Sequence, residues 1–199
     1  RKYTKNPGAG GLVNGVLRSL SRQKGQLPQP PDGATRYSHP AWLAEAFASR
    51  LGREGAALLM EADNAQPPIC AQVNTCRFTP EQAGDLLAAE GVEVQAHPWM
   101  PGCLLLSGTG DLERLQAYQQ GAFYIQDPAA RLAVLAARPE AGMQILDACA
   151  APGGKSFAAA LAMEGRGSIT ACDIHPHKQR LIAAGAARLG FDCIRTSML

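Results

Sequence analysis

Apolar residues return along this chain with two different periods. Leu12, Val13, Val16, Leu17 and Leu20 recur every three or four positions, which predicts an amphipathic helix over Gly11–Gln23 with Arg18 and Arg22 together on another face. One helix cannot bury its own stripe, so this one needs a partner surface. Trp42, Leu43, Ala46, Phe47 and Leu51 repeat the helical period, with Ser38 as the expected N-cap just ahead of Pro40. Gly52 and Gly55 interrupt that stripe, and a second helix is expected over Ala56–Ala62. Asn64-Ala65-Gln66-Pro67-Pro68 breaks the pattern, and beyond it the period shortens. Ile69–Thr75 alternates as a strand does. Thr79-Pro80-Glu81-Gln82 opens a helix that reaches Glu90 and stops at Gly91. Val92–Ala96 and Gly102–Ser107 read as two more strands, and Leu112–Gln119 as a short helix or turn. Strand, helix, strand, strand is half of a ferredoxin-like arrangement.

From Phe123 the elements alternate. Phe123–Asp127 reads as a strand leading into a second α/β half, with Asp127-Pro128 capping a helix over Ala129–Ala137. Strand Gln144–Asp147, a small-residue loop, helix Ser156–Met163, the turn Glu164-Gly165-Arg166-Gly167 and strand Ser168–Asp173 make one βαβ unit, expected to be right-handed. His175-Pro176 starts a further helix ending near Leu189 and capped by Gly190, and Cys193-Ile194 begins another strand. The expected division is a helical segment with a linker over 1–33, a small α/β domain over 34–121 and a Rossmann-like half over 122–199.

Composition narrows the setting. The chain has 199 residues, 46% of them hydrophobic, enough for one large domain or two small ones. No apolar run approaches the roughly 18 residues that a membrane helix needs, so no membrane is expected as a partner. The basic start has no apolar core behind it, so no secretory signal is expected. Six scattered cysteines (70, 76, 103, 149, 172 and 193) form no C-x-x-C pair. They read as reduced thiols of a cytoplasmic protein, and no metal site is expected. The net charge of +2 conceals an asymmetry: Arg1, Lys2, Lys5, Arg18, Arg22 and Lys24 face no acid within residues 1–31, whereas the remainder holds 13 basic and 17 acidic residues. A basic leading segment followed by the linker Leu27-Pro28-Gln29-Pro30-Pro31-Asp32-Gly33 suits contact with nucleic acid, or is a solvated tail.

The stretch with the most chemistry is Asp147-Ala148-Cys149-Ala150-Ala151-Pro152-Gly153-Gly154-Lys155-Ser156. A strand ending in an acid, a tight loop and a helix start present backbone N–H groups to a polar or anionic ligand. Gly154-Lys155-Ser156 mimics the end of a P-loop, but the glycine required five positions earlier is Cys149. The dinucleotide pattern G-x-G-x-x-G fails as well, because the glycines are adjacent and follow Pro152. Asp173, at the tip of the next strand, stands where a Rossmann-type unit binds ribose hydroxyls, and it can also cap the helix at His175.

This loop resembles the first motif of the Sun/Nop2-type RNA cytosine-5 methyltransferases, for which Pro-Gly-Gly-Lys is characteristic. The resemblance covers most of the chain. Leu12-Val13-Asn14-Gly15-Val16-Leu17-Arg18 is similar to the last helix of the family's NusB-like RNA-binding domain. Arg36-Tyr37-Ser38-His39-Pro40-Ala41-Trp42-Leu43 looks like the opening of the following domain. Asn64-Ala65-Gln66-Pro67-Pro68 and Tyr124-Ile125-Gln126-Asp127-Pro128-Ala129-Ala130 match further landmarks. One departure is Gln72-Val73-Asn74 where the family commonly has Arg-x-Asn, which removes one guanidinium from the set of phosphate contacts; a milder one is Ser156 where Thr is frequent.

The resemblance implies an α/β fold: the tail of a NusB-like helical domain, a ferredoxin-like RNA-binding domain, and an incomplete Rossmann-like methyltransferase domain. It implies S-adenosyl-L-methionine as cofactor, held by Cys149, Ala150, Ala151, Pro152, Gly153, Gly154, Lys155 and Asp173, with Lys155 bonding nearby carbonyls or the cofactor carboxylate. RNA, specifically small-subunit ribosomal RNA, is the implied partner, and a monomer the implied state of a full-length protein. The family's chemistry needs a cysteine thiolate to attack cytosine carbon 6. Its cysteines lie in Asp-Ala-Pro-Cys and Thr-Cys motifs on later strands. This sequence has no Pro-Cys pair, and Asn74-Thr75-Cys76 falls in the other domain. No catalytic residue is therefore assigned, and the chain is expected to be a fragment that does not methylate RNA by itself. The alternative is a non-catalytic RNA-binding or assembly module.

Overall fold

The structure is a computed structural model that describes residues 8–26 and 28–198. Arg1, Lys2 and Lys5 of the basic leading segment and Leu27 of the linker lie outside the described residues. The chain divides between Gln66 and Pro67 into two compact units.

In the first unit, α1 (Ala9–Arg22) is the amphipathic helix that the spacing predicts, and none of its residues is buried. A short helix, α2 (Gly33–Arg36), begins at the end of the linker, where the sequence pattern predicts no element. Asp32 caps it by accepting from the Thr35 N–H at 2.7 Å. The helix α3 (Ala41–Asp63) starts after Pro40, and Ser38 does not cap it. His39 precedes a proline and is steered away from helical backbone, so the helix opens only beyond the ring. Gly52, with φ +73°, breaks α3 into two helical stretches, as the glycine interruption predicts. Ala56 and Met60 of the second stretch are buried.

The second unit holds two sheets. The first contains β1 (Ile69–Val73), β2 (Glu93–Ala96), β3 (Cys103–Ser107) and β4 (Phe123–Ile125) in the order β2-β3-β1-β4, all antiparallel. Helix α4 (Pro80–Ala89) connects β1 to β2, and α5 (Gln116–Gln119) precedes β4. Thr79 and Gln82 form a full capping box at the start of α4, with Pro80 in its first turn. Ala71 and Val73 point to one face of the sheet and are buried with Leu104, Leu106, Phe123 and the α4 residues Ala83 and Leu87. Phe123–Ile125 thus supplies the fourth strand of a ferredoxin-like sheet; Gln72 stands opposite both Cys103 and Tyr124. Its three-residue apolar pattern does not say which sheet it joins, and pairing with β1 decides it.

The second sheet is parallel, with β5 (Gln144–Asp147), β6 (Ser168–Cys172) and β7 (Ile194–Ser197) in chain order. Before it runs α6 (Pro128–Ala136), capped by Asp127. The crossovers are α7 (Gly154–Ala162) and α8 (Pro176–Leu189), the latter closed by Gly190 in left-handed conformation. Phe157, Leu161, Met163, Ile169, Leu189 and Phe191 form its core. Among the described residues no helix is long and apolar enough to cross a membrane.

Buried polar contacts join the two sheets. The Asn74 carboxamide, fully buried, donates to the carbonyls of Gly121 at 3.0 Å and Leu189 at 2.8 Å. Arg188 Nη1 donates to the carbonyls of Tyr118 at 2.6 Å and Phe123 at 3.0 Å, and its guanidinium lies 3.7 Å from the Tyr118 ring centre. Gly121, at φ +73°, lies so close to the Arg188 carbonyl that a Cβ would collide with it. Replacing Asn74 leaves two buried carbonyls short of a donor, at about 1–3 kcal/mol for an unmet buried group. Asn74→Ala is therefore expected to lower unfolding free energy by about 3 kcal/mol in urea titrations. An unchanged urea midpoint would show that this junction contributes nothing.

Candidate functional site

The loop between β5 and α7 is shaped by four short contacts. Asp147, the last residue of β5, accepts a hydrogen bond from Ser156 Oγ at 2.7 Å, and Ser156 is buried. This bond joins the two ends of the loop. The Ala150 N–H donates to the Cys172 carbonyl at 2.9 Å, which pins the loop to the neighbouring strand. The Gly153 N–H donates to the Ala150 carbonyl at 2.7 Å, and Gly153 in turn accepts from the Phe157 N–H at 2.8 Å. Gly153 sits at the N-cap of α7 with φ +114° and no side-chain cap. The helix begins two residues before the position that the apolar pattern predicts, so Gly154 and Lys155 lie in its first turn, where backbone N–H groups lack intrahelical acceptors. A Cβ on Gly153 would run into the Phe157 ring.

Asp173 follows β6 directly and is 9% exposed. Its Oδ1 accepts from the His175 N–H at 3.0 Å, a local turn just ahead of α8. The N-cap of that helix is His175 itself, with no side-chain cap bond, so Asp173 does not take the capping role expected of it. Oδ2 has no partner among the described residues. Gln179 reaches back from α8, its Nε2 donating to the carbonyls of Asp173 and Ser197, both at 2.9 Å, and so ties the tips of β6 and β7 together. The bond from Ala150 to Cys172 brings the glycine loop alongside Asp173, as the sequence spacing predicts.

The other site candidates are distributed around this loop. Cys149 and Pro152 are exposed, Ala150 is buried and Ala151 half-buried. Pro152 and Gly154 line a cleft of about 340 Å³ with Tyr124, Phe157, Gly185 and Arg188. Lys155 lines a separate cleft of about 250 Å³ with Asp147, Ala148 and Ser156. Lys155 is exposed and bonds no carbonyl among the described residues. Asp173 lines neither cleft.

Three residues of known motifs gain contacts here that no local pattern predicts. The Asp147–Ser156 pair was legible only as a strand end and a helix start. Gln126 packs on the glycine loop, with its Nε2 3.2 Å from where a Gly154 Cβ would stand, and its side chain accepts from the Tyr124 hydroxyl at 3.2 Å. Position 72 also changes meaning. Gln72 is fully buried, donating to the Gln126 carbonyl at 2.9 Å and accepting from Arg131 Nη1 at 2.7 Å. The departure from Arg-x-Asn thus lies at a buried junction between β1, β4 and α6.

All six cysteines are free thiols. Burial pushes the Cys103 thiol up to about 11, and burial likewise raises Cys70, Cys76 and Cys193. Those four stay as thiols at neutral pH, the unreactive form. Cys172 is buried within β6, and Cys149 belongs to the glycine loop.

A ferredoxin-like sheet joined to a parallel sheet with this loop defines a methyltransferase fold, and the methyltransferase homolog protein from Pyrococcus horikoshii shares it, with 26% identity and a TM-score of 0.71 over 85% of this chain and 56% of that one. The model of the RsmF/B-like methyltransferase ferredoxin-like domain matches residues 39–113, and that of 16S rRNA methyltransferase RsmB/F matches residues 133–198. The chain belongs to this RsmB/F family of methyltransferases. It is 35% identical to the probable ribosomal RNA small subunit methyltransferase B of Bacillus subtilis, over 100% of this chain and 45% of the relative. It is 36% identical to ribosomal RNA small subunit methyltransferase B of Pectobacterium carotovorum, over 76% of this chain and 35% of the relative. The chain thus spans less than half the length of either.

Proposed function

We propose that this chain carries the methyl-donor half and the RNA-docking sheet of an S-adenosyl-L-methionine-dependent RNA cytosine-5 methyltransferase acting on small-subunit ribosomal RNA. The observation that carries the reading is Asp173: a carboxylate with one oxygen engaged by backbone and the other unpaired, fixed beside a glycine loop. Oδ2 would accept from ribose hydroxyls. The loop residues Cys149, Ala150, Ala151 and Pro152 would flank the cofactor, and Gly153 and Gly154 let the chain approach it with no Cβ between. The first-turn N–H groups of α7, together with the Lys155 ammonium, suit the amino-acid carboxylate. When bound, the cofactor supplies an electrophilic methyl group; the residues here bind and orient it. Family membership and the relatives' names support ribosomal RNA as the substrate.

The direct test is calorimetric titration of the purified chain with S-adenosyl-L-methionine, paired with an assay of labelled methyl transfer to small-subunit ribosomal RNA. Saturable heat without transfer is the expected pair of results. Absence of heat removes the donor-site reading. Transfer of label would show that one of the six cysteines does the nucleophile's work.

A further inference from the structure

The end of the antiparallel sheet formed by the β2–β3 loop has a form that the donor site does not explain. His97 N–H donates to the Cys103 carbonyl at 2.9 Å and Cys103 N–H to the Met100 carbonyl at 3.2 Å, while His97 Nδ1 accepts from the Met100 N–H at 3.2 Å. Met100 is 3% exposed and anchors the loop in a small cluster with Cys70 and Cys103. On this fixed loop Trp99 is 57% exposed. Its ring meets His97 edge-to-face, with centroids 4.5 Å apart and planes at 89°. More than half of this large apolar ring thus faces water, where it contributes little to folding.

Arg131 reaches the same loop from α6. Its Nη1 donates to Gln72 Oε1 at 2.7 Å and to the Pro101 carbonyl at 3.0 Å, two residues from Trp99. Those two acceptors fix the guanidinium plane, and Nε and Nη2 have no partner among the described residues. The nearby Asp127 carboxylate is turned to the start of α6, where its Oδ1 accepts from the Ala129 and Ala130 N–H groups.

An exposed indole on a loop that a half-satisfied guanidinium also bonds has the chemistry of single-stranded nucleic-acid binding: a base stacks on the aromatic ring and the cation takes a phosphate. We propose that Trp99 and Arg131 form an RNA contact at this end of the ferredoxin-like sheet, with Trp99 stacking on an unpaired base and Arg131 binding the adjoining phosphate. This rests on the RNA methyltransferase reading and names part of its RNA-facing surface.

The test is fluorescence anisotropy of labelled decauridine with the purified chain at several salt concentrations. Trp99→Ala is expected to weaken binding about tenfold, the loss of one stacked base, and Trp99→Phe to restore most of it. Trp99 lies on the surface, so neither substitution threatens the core. Arg131→Gln is expected to reduce the slope of log affinity against log salt by about 0.7, the value for one phosphate on a single strand; mere structural damage would weaken binding without changing that slope. Unchanged affinity in Trp99→Ala, or an unchanged slope in Arg131→Gln, overturns the contact. If the wild-type chain fails to bind decauridine the contact is also overturned, while the donor-site reading stands or falls separately on its calorimetry.

Discussion

Asp173→Ala is expected to weaken S-adenosyl-L-methionine binding about a hundredfold. Hydrogen bonds to a charged carboxylate contribute about 1.5–3 kcal/mol each, and two ribose hydroxyls are within the acceptor capacity of one carboxylate. The alanine variant alone is ambiguous, because Oδ1 also accepts from His175 N–H at the start of α8. Asp173→Asn separates the two roles. The amide oxygen can keep the His175 bond, while an NH₂ group replaces the free Oδ2 and offers ribose a donor where an acceptor is needed. Both variants should therefore lose donor binding, and only alanine should lose stability, by about 1 kcal/mol for one lost hydrogen bond. Calorimetry of the asparagine variant with wild-type affinity would leave Asp173 a turn-forming residue ahead of α8 and nothing more.

The contrast between the two roles of Asp173 shows what a sequence can carry. Spacing alone placed the acid beside the glycine loop, because a strand, a loop and a helix have fixed lengths and a right-handed βαβ unit returns to its own sheet edge. Local rules were equally legible: the capping box of Thr79 and Gln82, the Asp127 cap, the interruption at Gly52 and the stop at Gly190 all depend on neighbours within a few residues. Pairings distant in sequence were not legible. The bond between Gln72 and Arg131 spans 59 positions, and that between Asn74 and Leu189 spans 115. No local period encodes either. The same limit explains β4, whose three apolar residues suit either sheet until β1 claims them. It also explains Gln126, whose role depends on approaching Gly154 through space.

Gly153→Ala and Gly154→Ala, adjacent and chemically identical changes, are expected to differ by about 3 kcal/mol in unfolding free energy. At Gly153 the backbone has φ +114° and ψ −7°, which an L residue adopts only under strain of about 1–2 kcal/mol. The new methyl would also enter the space of the Phe157 ring. That ring is hemmed in by Tyr124, edge-on with centroids 5.6 Å apart, and by Phe191 at 6.4 Å, and a Cβ on Gly185 would strike it from α8. These neighbours oppose its displacement, so overpacking adds about 1–3 kcal/mol. Gly154 is helical, and its nearest neighbour is the carboxamide of Gln126 at 3.2 Å, the far end of a flexible side chain. There alanine gains up to about 1 kcal/mol in helix propensity, which offsets the crowding. Urea denaturation of both variants measures the difference. Phe157→Leu in the Gly153→Ala background should recover the overpacking share and leave the backbone strain, giving a coupling of about 1 kcal/mol in a double-mutant cycle. Equal losses at the two glycines would mean that neither the left-handed N-cap nor the Phe157 ring shapes this loop.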